Sequence, residues 1–270
     1  MNKKILIIGE KGFIASNLYK YLKKKNNKVY SSSFEKFMKK KVFKKSDIII
    51  NCTSNKRFIK NHYNISNDHD LMIANKIINS KTKLVMLSTR KIYKKKFNIK
   101  ELDKKKPNCN YSNNKFISEN SVKKILKKKV LILRISNIIG FPNKSKRKLH
   151  KTFSDTFFQM AKRGFIYKNK KIYKDFISII KFNQIVFELI KKNSFGAFNV
   201  SLGKKIYINQ LISWLNFYNP LKIKIIKVKN SFNKDNFTLN NDKLMRVIKI
   251  NNDIVDLKNE CLKMSKQYFL

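Results

Sequence analysis

"KKILIIGEKGFIASNLYKYL" (residues 3–22) holds two of the chain's six glycines, Gly9 and Gly12, three residues apart. The apolar run ILII stops at the first of them. Beyond the second, Ile14, Leu18, Tyr21 and Leu22 recur on one helical face. The stretch predicts a buried strand, a tight turn and a helix. Its pattern, Gly-x-x-Gly-x-x-Ala from Gly9 through Gly12 to Ala15, suits a turn whose backbone approaches a pyrophosphate while the free N–H groups of a helix N-terminus face it. Ala15 is small enough for close helix–strand packing. A plain strand–helix turn would use the same glycines, but the strand before and the helix after favour a dinucleotide site formed by Gly9, Gly12, Phe13 and Ile14.

Outward from this turn the alternation continues. Strands are expected over 28–32, 47–53, 83–89 and 130–136, and helices over 66–80 and 112–128. The uninterrupted apolar centre of DIIINCT is what a parallel sheet covered on both faces requires. The fold class is therefore α/β, a doubly wound parallel sheet of Rossmann type with right-handed crossovers and a small C-terminal lobe. After Gly140-Phe141-Pro142 the rhythm breaks and a basic loop, Asn143–Lys151, follows. Residues 172–192 and 206–218 mix helices with short strands such as 222–228. The expected division is a dinucleotide-binding domain over 1–140 and a lobe over 141–270, with part of 172–200 returning to the sheet.

The chain carries 63 Lys and Arg against 16 Asp and Glu, a net charge of +47. Nearly all the excess is lysine, spread along the chain. Arg and Ala are scarce while Asn, Ile, Phe and Tyr abound, which is the signature of A/T-rich codons more than of a partner. Such charge attracts polyanions weakly and steers anionic substrates; no specific nucleic acid is expected. No apolar run reaches the roughly 18 residues of a membrane span, and Ile5–Ile8 is too short for a signal peptide. A soluble cytoplasmic protein with no membrane partner is expected. Cys52, Cys109 and Cys261, odd in number and far apart, argue for a reducing compartment. His62, His69 and His150 have no ligand spacing, so no metal site is expected.

A Tyr-x-x-x-Lys spacing sets phenol and ammonium one helical turn apart. The cation then lowers the phenol pKa from about 10 and makes it a usable acid near neutrality. Tyr111/Lys115 has this spacing, but so do Tyr19/Lys23, Tyr21/Lys25, Tyr167/Lys171 and Tyr218/Lys222. Position selects Tyr111, which enters a helix shortly after a strand ending in Ser88-Thr89. Groups at the C-terminal edge of a parallel sheet converge on one crevice. Tyr21 falls on the apolar face of the first helix and reads as core packing.

In order along the chain, GEKGFIAS, DIIINC, LSTRKIY, YSNNK, LRISNIIG, DFISI and GAFNV resemble an extended short-chain dehydrogenase/reductase, and more narrowly the NAD-dependent epimerase/dehydratase family that acts on nucleotide sugars. The resemblance runs from residue 3 to about 260, with LNNDKL (239–244) similar to a late substrate-lobe segment. It implies that 1–140 binds NAD(P), that 141–270 is mainly a substrate-binding lobe, and that Thr89, Tyr111 and Lys115 form the catalytic set. Tyr111 would exchange a proton with a sugar oxygen, and Lys115 would hold the nicotinamide ribose. Thr89 would hydrogen-bond the reacting oxygen, with Ser88 beside it contacting cofactor and substrate. Asn137 and Lys174 would bind the substrate's diphosphate. The plainer readings of the last two are a loop cap and a solvated lysine.

Departures from the family pattern narrow the activity. Arg90-Lys91 stand where 4,6-dehydratases carry an acidic pair. Strand two ends in Ser31-Ser32-Ser33 without the acid that would take a ribose 2′-OH, which slightly favours NADP over NAD. The usual acids after the DFISI segment are replaced by Lys181-Phe182-Asn183. The expected activity is reduction of a 4-keto nucleotide sugar. The alternatives are an epimerase retaining NAD, and a non-catalytic dinucleotide- or RNA-binding protein. The expected partner is a nucleotide-diphosphate sugar, and a homodimer is allowed for.

Overall fold

The computed structural model describes residues 3–25, 28–39, 46–141, 153–168, 172–221, 224–227 and 236–270. The basic loop Asn143–Lys151, together with Lys171 and Lys222 of two Tyr-x-x-x-Lys pairs, lies outside the described residues. Six strands form one wholly parallel sheet: β1 (Lys4–Ile8), β2 (Lys28–Ser32), β3 (Ile48–Asn51), β4 (Lys83–Thr89) and β5 (Val130–Ile135), with β10 (Gly196–Val200) arriving from the far end of the chain. Their order is β2-β1-β3-β4-β5-β10. The chain steps from β1 to one side, then crosses to β3 on the other. The C-terminal ends of β1 and β3 thus open a crevice at the switch point.

Side-chain alternation along each strand builds two apolar layers. Ile5, Ile7, Ile48, Ile50, Val85 and Leu133 face α1 (Phe13–Lys24) and α7 (Ile179–Lys191). Leu6, Ile8, Ile49, Met86 and Ile132 face α4 (His69–Ile77) and α5 (Asn110–Leu126), with Phe37 of α2 (Phe34–Lys39). The short α3 (Lys56–Lys60) packs on α5. Tyr21 packs edge-on against Phe187, ring centroids 6.2 Å apart, as its apolar-face position requires. A polar cluster interrupts the α5 side: Arg134 of β5 pairs with Glu119 of α5 at 2.6 Å, both buried. Ser88 Oγ donates to Glu119 at 2.5 Å, and Arg134 also donates to the Tyr93 hydroxyl at 2.6 Å.

Beyond β5 the chain bends through β6 (Asn137–Ile139), which pairs with β9 (Phe176–Ser178). The lobe adds α6 (Phe153–Lys162), β7 (Phe165–Lys168) paired with β12 (Lys224–Lys227), β8 (Tyr173–Lys174) paired with β11 (Ile206–Tyr207), α8 (Ile208–Leu215), α9 (Asp242–Val247) and α10 (Val255–Phe269). Phe157, Phe158, Leu211, Leu215, Leu257 and Met264 form its core. None of the described helices is long and apolar enough to cross a membrane.

Asp175, between β8 and β9, ties the lobe together. Its Oδ2 accepts from Leu239 N–H at 2.9 Å and its carbonyl accepts from the Asn137 amide at 3.0 Å. Burial pushes its carboxyl up to about 7, although Leu239 N–H, the Ser201 hydroxyl and the Gly203 and Leu202 amides favour the charge. The folded chain thus holds a proton that an unfolded aspartate releases near pH 4. The contribution of this group falls as pH rises from about 4 to about 7, by up to roughly 4 kcal/mol. Asp175→Asn is expected to remove that slope, so that wild type loses stability relative to the variant between pH 5 and 7.5 in urea melts. A pH-independent difference would contradict it.

Candidate active site

The glycine turn begins where β1 leaves the sheet. Gly9 has φ +104° and donates its N–H to Ser32 O at 2.9 Å. A β-carbon there would lie 2.8 Å from Thr53 Cγ2 and 3.3 Å from the Cys52 carbonyl carbon. Both the backbone conformation and the closeness of the β3 end require glycine. Gly12 donates to Gly9 O at 2.8 Å and is the N-cap of α1 with no side-chain bond across it. The first-turn N–H groups of α1 are therefore left uncapped by any side chain, as an anion site needs.

The ends of β3, β4 and β5 and the starts of α1 and α5 surround a cavity of about 450 Å³, a volume typical of small-molecule sites. It is lined by Phe13 and Ile14, residues 52–54 after β3, residues 87–89 at the end of β4, Tyr111 and Lys115 of α5, and residues 135–138 after β5. Thr89, Tyr111, Lys115 and Asn137 are thus brought to one space, and Phe13 and Ile14 carry the glycine turn to its wall. Thr89 Oγ1 accepts from Lys91 N–H at 3.2 Å, which fixes the oxygen without using its hydrogen. Ser88 also borders the cavity, but its hydroxyl proton goes to Glu119. Lys174 is half-buried on β8 opposite Ile206 and is not among the lining residues. Tyr19/Lys23 and Tyr21/Lys25 make outlying ring–ammonium contacts at 5.8 Å on α1.

Helix α5 begins two residues before its apolar pattern, because Ser112 Oγ accepts the Cys109 N–H at 3.2 Å and closes the first turn. That places Tyr111 inside the helix and Lys115 one turn on. The ammonium of Lys115 does not stand alone. It pairs with Asp70 Oδ2 at 2.7 Å, both side chains buried. Burial by itself would lower Lys115; Asp70, Tyr111 and Asp68 together lift it above the ordinary ammonium value.

The expectation of a lowered phenol is corrected here. Burial raises the Tyr111 pKa above its ordinary value; Lys115 pulls it down, while Asp70 and Cys109 push it up. The net direction is upward, because burial of the phenol outweighs the pull of Lys115, with Asp70 and Cys109 adding to it.

Asp70 belongs to a network that the sequence motifs do not display. Asn51, the last residue of β3, donates to Asp70 Oδ1 at 2.7 Å and accepts from Thr53 N–H and Oγ1 at 3.0 and 2.7 Å. Thr53 Oγ1 is 3.0 Å from His69 Nδ1, so with the hydroxyl donating to Asn51 the ring supplies the proton at Nδ1. His69 stacks on Phe34 at 3.5 Å, and burial lowers its pKa. Asp68 caps α4 by accepting Leu71 N–H, and also accepts Ser118 Oγ at 2.9 Å. The available signal was Asp68-His69-Asp70 itself, two acids opening a helix in a chain poor in acids. Glu35, in the first turn of α2, is an exposed carboxylate three residues past β2; its own backbone N–H and Ser33 hold it below the ordinary range.

The residues present fit a polar ligand carrying phosphates. The glycine cradle has no room for a β-carbon, and Ser54 Oγ and Ser136 Oγ, buried in the cavity wall, have no hydrogen-bond partner among the described residues. Gly9→Ala is expected to cost about 1–3 kcal/mol in unfolding free energy through φ strain and the Thr53 contact. A loss below 0.5 kcal/mol in urea melts, where about 0.5 marks an ordinary surface change, would contradict this geometry.

Comparison with solved structures returns the same architecture across the whole chain. A UDP-N-acetylglucosamine 4-epimerase from Methanobrevibacter ruminantium M1, in complex with UDP-N-acetylmuramic acid, is 18% identical with a TM-score of 0.81, covering 99% of this chain and 98% of the other. RMD from Pseudomonas aeruginosa, complexed with NADPH, is 15% identical with a TM-score of 0.78, covering 98% of each chain. A dTDP-4-dehydrorhamnose reductase from Clostridium acetobutylicum is 17% identical with a TM-score of 0.72, covering 98% and 97%. No curated protein sequence matches significantly. A family model described as RmlD substrate binding domain matches residues 3–164, from the strand before the glycine turn to the end of α6. Since that match takes in more than half of the chain, the protein belongs to the RmlD substrate binding domain family.

Proposed function

We propose that the chain is an NAD(P)-dependent nucleotide-sugar oxidoreductase that reduces a 4-keto sugar. The observation that carries this reading is the convergence of Thr89, Tyr111 and Lys115 on one cavity at the sheet's C-terminal edge, with Phe13 and Ile14, which directly follow the Gly9–Gly12 turn, at its wall. Structures of the same fold that hold NADPH, or are named as a 4-dehydro-sugar reductase, support it.

Gly9 and Gly12 would admit the cofactor's pyrophosphate to the N-terminus of α1, with Phe13 and Ile14 against it. A bound nicotinamide supplies the hydride. Tyr111, kept protonated at neutral pH by its raised pKa, gives its proton to the carbonyl oxygen as that oxygen becomes an alkoxide. Thr89 donates a hydrogen bond to the same oxygen and orients it. Lys115 contributes positive charge beneath the phenol and a donor for the nicotinamide ribose. Asn137 presents polar atoms to the substrate's diphosphate, and the cationic surface raises the encounter rate of such a substrate. Lys174 is assigned to the same diphosphate at the lobe's rim, and Ser88, whose hydroxyl donates to Glu119, borders the same cavity. NADPH is the favoured donor, because the β2 end offers the hydroxyls of Ser31, Ser32 and Ser33 and no carboxylate.

The test is to follow NADH or NADPH absorbance with a panel of 4-keto nucleotide sugars. Stoichiometric cofactor oxidation is expected; isomerisation without net oxidation would assign an epimerase instead. Tyr111→Phe is expected to lower kcat at least 100-fold, the scale of general acid catalysis, with cofactor Kd changed less than threefold. Unchanged turnover in that variant would remove Tyr111 from the mechanism.

A further inference from the structure

We infer that Asp70 is a positioning residue of this site: it locks the Lys115 side chain against α4 and offsets its charge at the Tyr111 phenol. The inference rests on the reading of Tyr111 as the proton donor, and its geometry is independent of any ligand. Lys115 Nζ lies 2.7 Å from Asp70 Oδ2, and Asn51 holds Asp70 Oδ1 at 2.7 Å from the end of β3. The carboxylate is thus fixed from the sheet, and the ammonium is fixed from the carboxylate. Asp70 is 2% exposed and Lys115 4%. With so little water to screen it, the pair's mutual field reaches the phenol one helical turn away.

The ionisable groups facing this pair are few. On α5 and its N-cap they are Tyr111 and Cys109; on α4, Asp68 and His69 flank Asp70; just after β3 stands the Cys52 thiol, raised by burial and by Asp70. On α3 the neighbour is the uncharged ring of Phe58, 5.6 Å from Lys115 Nζ. Asp68 is occupied by the Leu71 amide, Ser118 and Tyr63, and the ammonium's hydrogen bond among the described residues is to Asp70. Lys115 by itself pulls the phenol down; Asp70 pushes back on the same group, adding to the burial that already favours the protonated form. A reducing enzyme needs that form, because the phenol must arrive protonated. The carboxylate also removes one of the directions in which the long lysine side chain could turn, while Lys115 itself lines the cavity.

The experiment is a pH titration of the ligand-free full-length protein by 13C-tyrosine NMR, with the Tyr111 signal assigned by its loss in Tyr111→Phe. Asp70→Asn and the smaller Asp70→Ser are expected to lower the Tyr111 midpoint by about one pH unit or more, and Asp70→Glu to leave it near wild type. In turnover assays the basic limb of the kcat/KM profile should move to lower pH with the neutral variants and return with Asp70→Glu. An unmoved midpoint in Asp70→Asn or Asp70→Ser overturns the inference. So does a uniform fall in kcat/KM at every pH, or loss of the folded state in both neutral variants while Asp70→Glu folds, since a purely structural carboxylate predicts those results. If the wild type turns over no 4-keto sugar, the proposed reaction fails, and the NMR midpoint still decides the role of Asp70.

Discussion

A parallel sheet covered on both faces admits a polar side chain within a strand only where a buried partner meets it and otherwise sends polar groups to its ends, and that constraint organises this protein. The alternating rows of Ile, Leu and Val along β1, β3, β4 and β5 leave no tolerance for a charge in mid-strand on the α1–α7 side. Polar groups therefore gather where the strands stop: the glycines after β1, Asn51 and Thr53 after β3, Thr89 after β4, Ser136 and Asn137 after β5. The cavity is the product of that exclusion. On the α5 side the buried charge of Arg134 in β5 is met by the buried Glu119 at 2.6 Å, the kind of partner a buried charge requires.

Much of this was legible in the sequence because it is local. The glycine turn announces itself by a strand ending and a helix starting within a few residues, and Tyr111/Lys115 by a four-residue spacing. The strand boundaries at Lys28–Ser32 and Lys83–Thr89 coincide with the apolar pattern. What stayed hidden depends on pairs distant along the chain. Asp70 reaches Lys115 across 45 residues, and no periodicity links two helices through one ion pair. The phenol's pKa could not be signed correctly without its depth of burial, which outweighs the pull of Lys115 and to which Asp70 adds. Ser88 shows a different reason: neighbouring residues on a strand point to opposite faces, so Ser88 and Thr89 serve different sides, and Glu119 claims the hydroxyl of Ser88.

The charge imbalance also acts inward. Of the sixteen acidic residues, Asp68, Asp70, Glu101, Glu119, Asp175 and Glu260 are buried. Acids this scarce and this often internal leave the surface with little to counter its lysines. Most of these interior carboxylates hold a defined partner. Asp68 caps α4, Asp70 holds Lys115, Glu119 pairs with Arg134, and Asp175 ties the lobe through Leu239. Replacement at these positions touches the architecture far more directly than exchange among surface lysines.

The return of β10 beside β5 bears on how the chain matures during synthesis. The first five strands come in an order that lets each find a neighbour already made, but β5 is followed by some sixty residues before Gly196–Val200 supply its second partner. Until then all six residues of β5, buried in the finished molecule, line an open apolar edge of the kind that recruits foreign strands. Only the earlier part of the lobe, from β6 to β9, is made inside that waiting period. A nascent chain halted between the two strands would thus be the aggregation-prone species, and the ribosome's pace through residues 141–195 sets how long it persists.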